Sequence, residues 1–277
     1  MRRALAGARG VLTGASGGIG RYLATRAAER GARLLLAGRK LAVLEEIAGP
    51  LQARGCDVAT MAGDLTNLAD MQSLIQAAKE RFGGLDVLIN NAGISSHGHF
   101  STSTEPILRE IMEVNFFAPA ELMRLAVHLL RRGNRPAIVN VSSMCARRGV
   151  PAWPEYSASK FALAGLTEAL RAEFARFDID VLLVVPGLTQ TDFASHSLRR
   201  DGRMKIDFAA GMPPDSVAES ILRGLEKGKS EIVLGREARW LLRVNRFLPR
   251  LVDRLMARRV RALYASEHQE TQTPVAV

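Results

Sequence analysis

The stretch GVLTGASGGIGRYLATRAAERG, residues 10–31, decides the fold. Its opening GVLTGA reads as a short apolar strand, and IGRYLATRAAERG reads as a helix ending at Gly31. Gly14, Gly18 and Gly20 stand between them. A turn without side chains lets a phosphate approach the backbone. The first turn of the next helix adds oriented N–H groups and the positive end of its dipole. Taken alone, the same glycines also serve a tight strand–helix connection with no ligand, so the rest of the chain must choose between the two readings.

The alternation continues downstream. LLLAG reads as a second buried strand, followed by a helix through Leu41 to Ala53, and CDVATMAGD as a third strand ending at Asp64. Asp70 to Phe82 is helical, LDVLINNAG is a fourth strand, and Pro106 to Arg132 reads as one long helix. AIVNVSS is the fifth strand, Ser157 to Phe177 another long helix, VLLVVPG the sixth strand and EIVLG from Glu231 a seventh. Continuous apolar strands separated by helices predict a parallel sheet covered on both faces. Right-handed crossovers make it a doubly wound, Rossmann-like α/β sheet in a single domain, with ligands at the carboxyl ends of its strands. Gly14, Asp64, Asn91, Ser143 and Pro186 all fall just past strand ends.

Composition narrows the class. The 277 residues are 24% charged and 47% apolar, which suits one large globular domain. Cys56 and Cys145 make no disulfide framework, no secretory signal precedes the first strand, and no run of about 18 apolar residues predicts a membrane span. A reduced, cytoplasmic protein is expected. The net charge of +10 is uneven: from Arg236 to Tyr264 nine arginines face only Glu237 and Asp253.

Tyr156 and Lys160, in the run YSASK, are four residues apart and share a helix face. A phenol near a cation loses its proton more readily, which suits it to proton transfer near neutrality. Ser143 lies thirteen residues before the tyrosine, and Asn115 stands in VNFF. Strand alternation turns its neighbour Ser142 to the other side. With TGASGGIG and NNAG, these residues resemble the short-chain dehydrogenase/reductase family over about residues 8 to 235.

The resemblance implies a nicotinamide cofactor and a proton relay. Ser143 would bond the substrate oxygen, Tyr156 pass the proton, Lys160 supply charge and hold the ribose, and Asn115 act through a water. The implied cofactor contacts are Gly14, Ser16, Gly18, Ile19 and Gly20 in the turn; Asp64 at the adenine edge with Leu65; and Asn91, Ala92 and Gly93 along the cleft. Asn90 and Asn91 can instead brace strand ends. Pro186 and Gly187 turn the chain so that Thr189 and Thr191 reach the carboxamide or pyrophosphate. The second strand ends Ala37-Gly38-Arg39-Lys40, without the carboxylate that binds a ribose 2′-hydroxyl. A guanidinium there pairs with a 2′-phosphate and Lys40 adds charge, so NADP(H) is expected.

Other residues carry less. His97 and His99 read as a solvated loop that could border a pocket, and no accompanying carboxylate or cysteine supports metal, so none is expected. Cys145 is expected on the pocket wall. Residues of about 188–214, including His196 and broken by Gly202 and Gly211, resemble the family's mobile substrate lid.

Residues 236–277 depart from the family's fatty-acid-synthesis reductases, which end soon after their last strand. Arg239, Arg243, Arg246, Arg250 and Arg254 recur every three or four residues beside an arc of Trp240, Val244, Phe247, Leu248, Leu251, Leu255 and Met256. Two amphipathic helices divided or kinked at Pro249 result. Residues 236–264 fit a membrane surface, which would make the protein peripheral, and equally fit packing on the core or on a partner subunit with solvated arginines. No recognition motif accompanies the charge, so nucleic acid is not expected. The expected activity is oxidoreduction of a small-molecule ketone or aldehyde and its alcohol, on a lipid- or steroid-like molecule. A 3-oxoacyl-thioester reductase, or a catalytically silent nucleotide-sensing or scaffold protein, are the other readings. A homodimer through the helices at 106–132 and 157–177 is expected, with a tetramer as the larger form.

Overall fold

In the computed structural model, which describes residues 3–204 and 206–265, each apolar run becomes a strand of one parallel sheet. The strands are β1 (Arg9–Thr13), β2 (Arg33–Gly38), β3 (Val58–Ala62), β4 (Val87–Asn90), β5 (Ala137–Val141), β6 (Asp180–Pro186) and β7 (Glu231–Leu234). They lie in the order β3-β2-β1-β4-β5-β6-β7. Gly10 pairs with Leu34 of β2 on one side and with Val87 of β4 on the other. The strand order therefore reverses at β1, which opens a crevice at the carboxyl ends of β1 and β4.

Helices cover both faces. α1 (Gly18–Glu29), α2 (Leu41–Ala53) and α7 (Pro214–Glu226) pack on one side with Leu12, Leu34 and Leu36. On the other, α3 (Leu68–Phe82), α5 (Ala118–Leu130) and α6 (Pro154–Phe174) pack with Val11 and Leu35. Successive strand residues point to opposite faces, so one run of leucines feeds two cores. Full burial of each such leucine contributes about 1.5–3 kcal/mol.

Two helix boundaries differ from the sequence reading, and both bear on the site. The expected helix from Pro106 to Arg132 is α4 (Glu105–Met112) joined to α5 by a π-helical turn, Glu113–Phe117. Such turns insert one extra residue and redirect a side chain. Here the redirected residue is Asn115, which is fully buried. The helix expected from Ser157 begins at Pro154, so Tyr156 sits in its first turn. Proline at the start fits because its missing N–H would have had no helical partner.

After β7 the chain forms α8 (Arg236–Phe247) and α9 (Pro249–Leu263), divided at Leu248–Pro249. Their inner faces pack on the body. A Cβ on Gly187 would lie 2.9 Å from the Ala238 Cβ, and Leu242 packs on Ala146, Ala164, Leu183 and Val185. Val252 is buried, while Arg148 bonds Asn245 (3.2 Å) and Asp253 (2.5 Å). Trp240, Phe247, Leu251 and Leu255 stay exposed among the arginines. The packing interpretation accounts for only part of the apolar arc. Residues 266–277 of the expected extension lie outside the described residues. Among the described residues, no helix is long and apolar enough to cross a membrane.

Candidate active site

The glycine turn is fixed from behind by side chains of β1 and the end of β4. Asn91 Nδ2 donates to the carbonyl oxygens of Thr13 and Gly14 (both 3.1 Å), and the Thr13 hydroxyl accepts from the N–H groups of Asn91 (3.0 Å) and Ala92 (3.2 Å). Asn91 thus braces the turn with its side chain. Gly14 adopts φ +63°, where only glycine is unstrained. A Cβ on Gly20 would lie 2.0 Å from the Gly14 oxygen, so α1 can approach its own turn only through glycine. Gly20→Ala is expected to destabilise the fold by about 1–3 kcal/mol, since the clash is with backbone. Chemical denaturation checks this, and an unchanged midpoint would contradict the geometry.

The front of the turn is open to a ligand. Gly17 caps α1 without a side-chain hydrogen bond, and no acidic residue occupies the first helical turn. A Cβ at Gly17 would meet nothing within 4 Å. Uncapped N–H groups at a positive helix end, in open space, fit an anionic pyrophosphate. Across the gap stands Thr191, whose Cγ2 would lie 3.6 Å from a Cβ on Gly18. The Thr189 hydroxyl instead donates to the Gly187 oxygen (3.2 Å). Ser16 borders Gly38 at the end of β2, where its Oγ would be 3.4 Å from a Cβ. Arg39 and Lys40 follow and are exposed. Asp64 is also exposed, and the Thr66 N–H and hydroxyl, with Arg39 adding charge, hold its carboxyl below the usual range. Leu65 is half-buried beside it.

Deeper in the crevice, β5 and α6 bring Ser143, Tyr156 and Lys160 together. Burial pushes the Tyr156 phenol up, and a hydrogen bond with Ser143 works in the opposite direction. Ser143 Oγ also accepts from the Cys145 N–H (3.2 Å). The Ser142 hydroxyl donates to the Lys160 oxygen (3.3 Å), bracing α6 from behind. Lys160 Nζ lies 5.7 Å from the centre of the Tyr156 ring and donates to the Val141 oxygen (3.3 Å). Burial lowers its ammonium to about 8. The expectation that Lys160 pulls the phenol down is therefore outweighed in this structure by the desolvation of both groups.

Asn115 is held rigidly. Its Oδ1 accepts from the Ile94 N–H (2.9 Å), and its Nδ2 donates to the Ile94 oxygen (2.9 Å) and to Ser159 Oγ (3.0 Å). A Cβ on Gly93 would fall 3.1 Å from Asn115 Oδ1 and 3.4 Å from Lys160 Nζ. A side chain at Gly93 would therefore crowd both polar groups.

The wall facing Tyr156 is apolar. Cys145, Trp153, Tyr156 and Met204 form a buried cluster, packed by Met144, Phe193, Ile206 and, from α9, Val260. The Phe193 ring lies 5.8 Å from that of Tyr156. Burial pushes the Cys145 thiol up, so it lines the wall as a neutral group. The two loop histidines are not solvated as expected. His97 stacks on Trp153 at 4.2 Å and burial lowers its pKa, while His99 Nε2 bonds Tyr264 Oη (2.7 Å). The His97 N–H donates to the Arg199 oxygen and the Gly202 N–H to the His97 oxygen, which ties this loop to the lid-like segment.

Several supporting residues escaped the sequence reading. Glu155, fully buried beside Tyr156, accepts from Ser96 Oγ (3.0 Å) and lies 3.9 Å from Arg199 Nη1. Asn140 donates to Thr167 Oγ1 (2.9 Å) and accepts from Asn90 Nδ2 (2.8 Å), the residue expected to brace a strand end. Only the buried setting distinguishes these residues, and a lone polar letter does not reveal it.

The family described as short chain dehydrogenase matches residues 10–201. The chain is 35% identical over 269 residues to dehydrogenase/reductase SDR family member 7B of Bos taurus, covering 93% of this chain and 83% of that protein. A Burkholderia phymatum short chain dehydrogenase/reductase in complex with NAD shares the fold, with TM-score 0.83 and 24% identity, over 90% of this chain and 96% of that one. A Burkholderia cenocepacia short chain dehydrogenase in complex with NADP superposes with TM-score 0.77 and 28% identity, over 92% and 99%.

Proposed function

Because this chain belongs to the short-chain dehydrogenase family, we propose that it interconverts a ketone or aldehyde and its alcohol with NADP(H), on an apolar, lipid- or steroid-like substrate. That it is an oxidoreductase follows from the family. The finer reading is carried by one observation: Ser143, Tyr156 and a buried Lys160 stand between an uncapped glycine turn and an apolar wall of Cys145, Trp153 and Met204.

The bound nicotinamide supplies or accepts the hydride. In the direction of reduction, Ser143 Oγ donates a hydrogen bond to the carbonyl oxygen and fixes it beside the phenol. Tyr156 Oη gives its proton to that oxygen as negative charge develops there. The Lys160 ammonium stabilises the resulting phenolate and, through water held near Asn115, returns a proton to it. Lys160 also holds the ribose. Gly14, Ser16, Gly18, Ile19, Gly20 and Thr191 hold the pyrophosphate, and Asn91 and Thr189 fix the turns on which these residues sit. Asp64, Leu65, Ala92, Gly93, Pro186 and Gly187 complete the cleft. The segment 188–214 is its lid.

NADP(H) rests on the end of β2, where Arg39 and Lys40 are exposed and no carboxylate is present. NADPH should exceed NADH in kcat/KM by at least about tenfold, and Arg39→Ala should cost NADPH about tenfold to a hundredfold by removing a charged hydrogen bond. Steady-state kinetics with both cofactors checks this, and an NADH preference would overturn it. The same assay on long-chain ketones, steroid ketones and 3-oxoacyl thioesters separates the apolar-carbonyl reading from the thioester one. Tight cofactor binding with no turnover of any carbonyl would favour a nucleotide sensor. We infer a homodimer paired through α5 and α6, near which Phe117 and Phe161 are exposed. An apolar substrate of this kind dissolves in membranes, and α9 borders its pocket.

A further inference from the structure

Helices α8 and α9 reverse the usual arrangement of a surface helix. Their inner sides are small or aliphatic, at Ala238, Leu242, Val252 and Val260, and their outer sides carry the largest apolar groups. Six of the thirteen large apolar side chains exposed among the described residues lie between Trp240 and Leu263. Isolated exposed apolar residues need no explanation, but a cluster of this size on two adjacent helices does.

The outer faces have a definite layout. Trp240 (66% exposed) and Phe247 (77% exposed) are seven residues apart, two turns along one line of α8. Arg236 and Arg243 share that line, with Arg239 and Arg246 beside it. On α9, Leu251 and Leu255 (54% exposed) are one turn apart, with Arg250, Arg254, Arg258 and Arg261 on one flank and Arg259 on the other. Leu248 is exposed at the junction. Asp253 is paired with Arg148, so Glu237 is the one acidic group of α8 and α9 left to offset nine arginines.

We propose that α8 and α9 dock this protein on an anionic lipid surface, with Trp240, Phe247, Leu251 and Leu255 entering the headgroup boundary and the arginines bonding lipid phosphates. This combination of aromatic, aliphatic and cationic groups suits an interfacial helix, where insertion and charge attraction act together. A second copy fits worse, because an isologous contact would bring two arginine-rich faces together. Nucleic acid leaves the exposed Phe247 and Leu255 unexplained.

The docked orientation has a consequence that rests on the oxidoreductase reading. Val260, on the inner side of α9, packs on the cluster containing Tyr156, and Tyr264 just beyond α9 bonds His99 and accepts from the Arg203 N–H (3.2 Å). Lipid contact along α9 therefore lies next to the wall of the reaction chamber, and a membrane-dissolved substrate reaches it without crossing water.

Sedimentation of the full chain with vesicles tests the docking itself. Phosphatidylcholine vesicles containing phosphatidylserine should bind it at least about tenfold more tightly than phosphatidylcholine alone, with affinity falling as salt rises. A Trp240→Ser, Phe247→Ser, Leu255→Ser variant, at unchanged net charge, should bind at least about tenfold less. Arg243→Glu with Arg254→Glu should abolish the preference for phosphatidylserine. All five positions are solvent-exposed, and thermal unfolding with NADPH binding verifies that each variant folds. No binding of the wild type to anionic vesicles, full binding by the serine variant, or lipid-independent self-association through this face would each overturn the proposal. Absence of carbonyl turnover would overturn the enzymatic reading and leave the vesicle result standing.

Discussion

Tyr156→Phe is expected to lower turnover by on the order of a thousandfold while leaving the dissociation constant for NADPH within about threefold. The substitution removes one oxygen from a ring that stays packed between Phe193, Trp153 and Lys160. Hydride transfer without a proton donor leaves an unprotonated alkoxide, so the loss falls on the chemical step. Ser143 is too weak an acid to replace the phenol, and Lys160 Nζ lies beyond the ring and is directed at the Val141 oxygen. Loss of the Ser143 hydrogen bond opposes the desolvation cost removed with the hydroxyl, so stability should change by no more than about 1 kcal/mol. Single-turnover kinetics with an accepted ketone, beside a titration of NADPH fluorescence, separates the two effects. Retained turnover would mean that another group donates the proton.

Lys160→Met is expected to be more stable than the wild type at pH 7 in the absence of cofactor, and inactive. Burial lowers the ammonium from an ordinary 10.5 to about 8. Below pH 8 the lysine is charged in both folded and unfolded chains, so the folded state bears the full cost of holding that charge. Between about pH 8 and 10.5 the unfolded chain binds more protons than the folded one, and stability rises with pH. Above that window the group is neutral in both states and the cost has gone. A shift of this size corresponds to roughly 3 kcal/mol, and loss of the long bond to Val141 offsets about 1 kcal/mol. Methionine should therefore gain about 1–2 kcal/mol at pH 7, with the advantage fading between pH 8 and 10.5. Denaturation at several pH values checks this. Equal stability at pH 7, or a difference independent of pH, would contradict the buried charge.

A destabilising charge at this position makes sense only if the reaction needs it. The protein keeps a cation where burial disfavours it, next to a phenol that burial also disfavours as an anion. The Lys160 ammonium would offset part of that cost once the phenol gives up its proton.

The sheet was legible because its signals are local. Runs such as AIVNV and VLLVV admit few other structures, and Gly14 and Gly20 are required by the close approach of backbone within the turn they announce. The spacing of Tyr156 and Lys160 is likewise contained in one helical turn. What escaped depends on contacts distant in sequence. The π-helical turn at Asn115 is stabilised by the Ile94 backbone and Ser159, neither of which marks VNFF as anything but helix. His97 looks like a loop histidine until Trp153 stacks on it. The desolvation that dominates Tyr156 and Lys160 comes from the assembled core. In the tail, periodicity gave two amphipathic helices, but whether their aromatic residues face inward or outward depends on Gly187, Ala146 and Leu183, far upstream.

Hydride transfer to a carbonyl in this pocket is the step on which the proposed function depends. Purified wild-type protein, given NADPH deuterated at the transferable position and an apolar ketone, should yield an alcohol carrying one deuterium on the carbinol carbon. Mass spectrometry reads the label, and Tyr156→Phe should yield almost none. A chain that binds NADPH tightly yet labels no ketone, aldehyde or oxoacyl thioester would contradict the account.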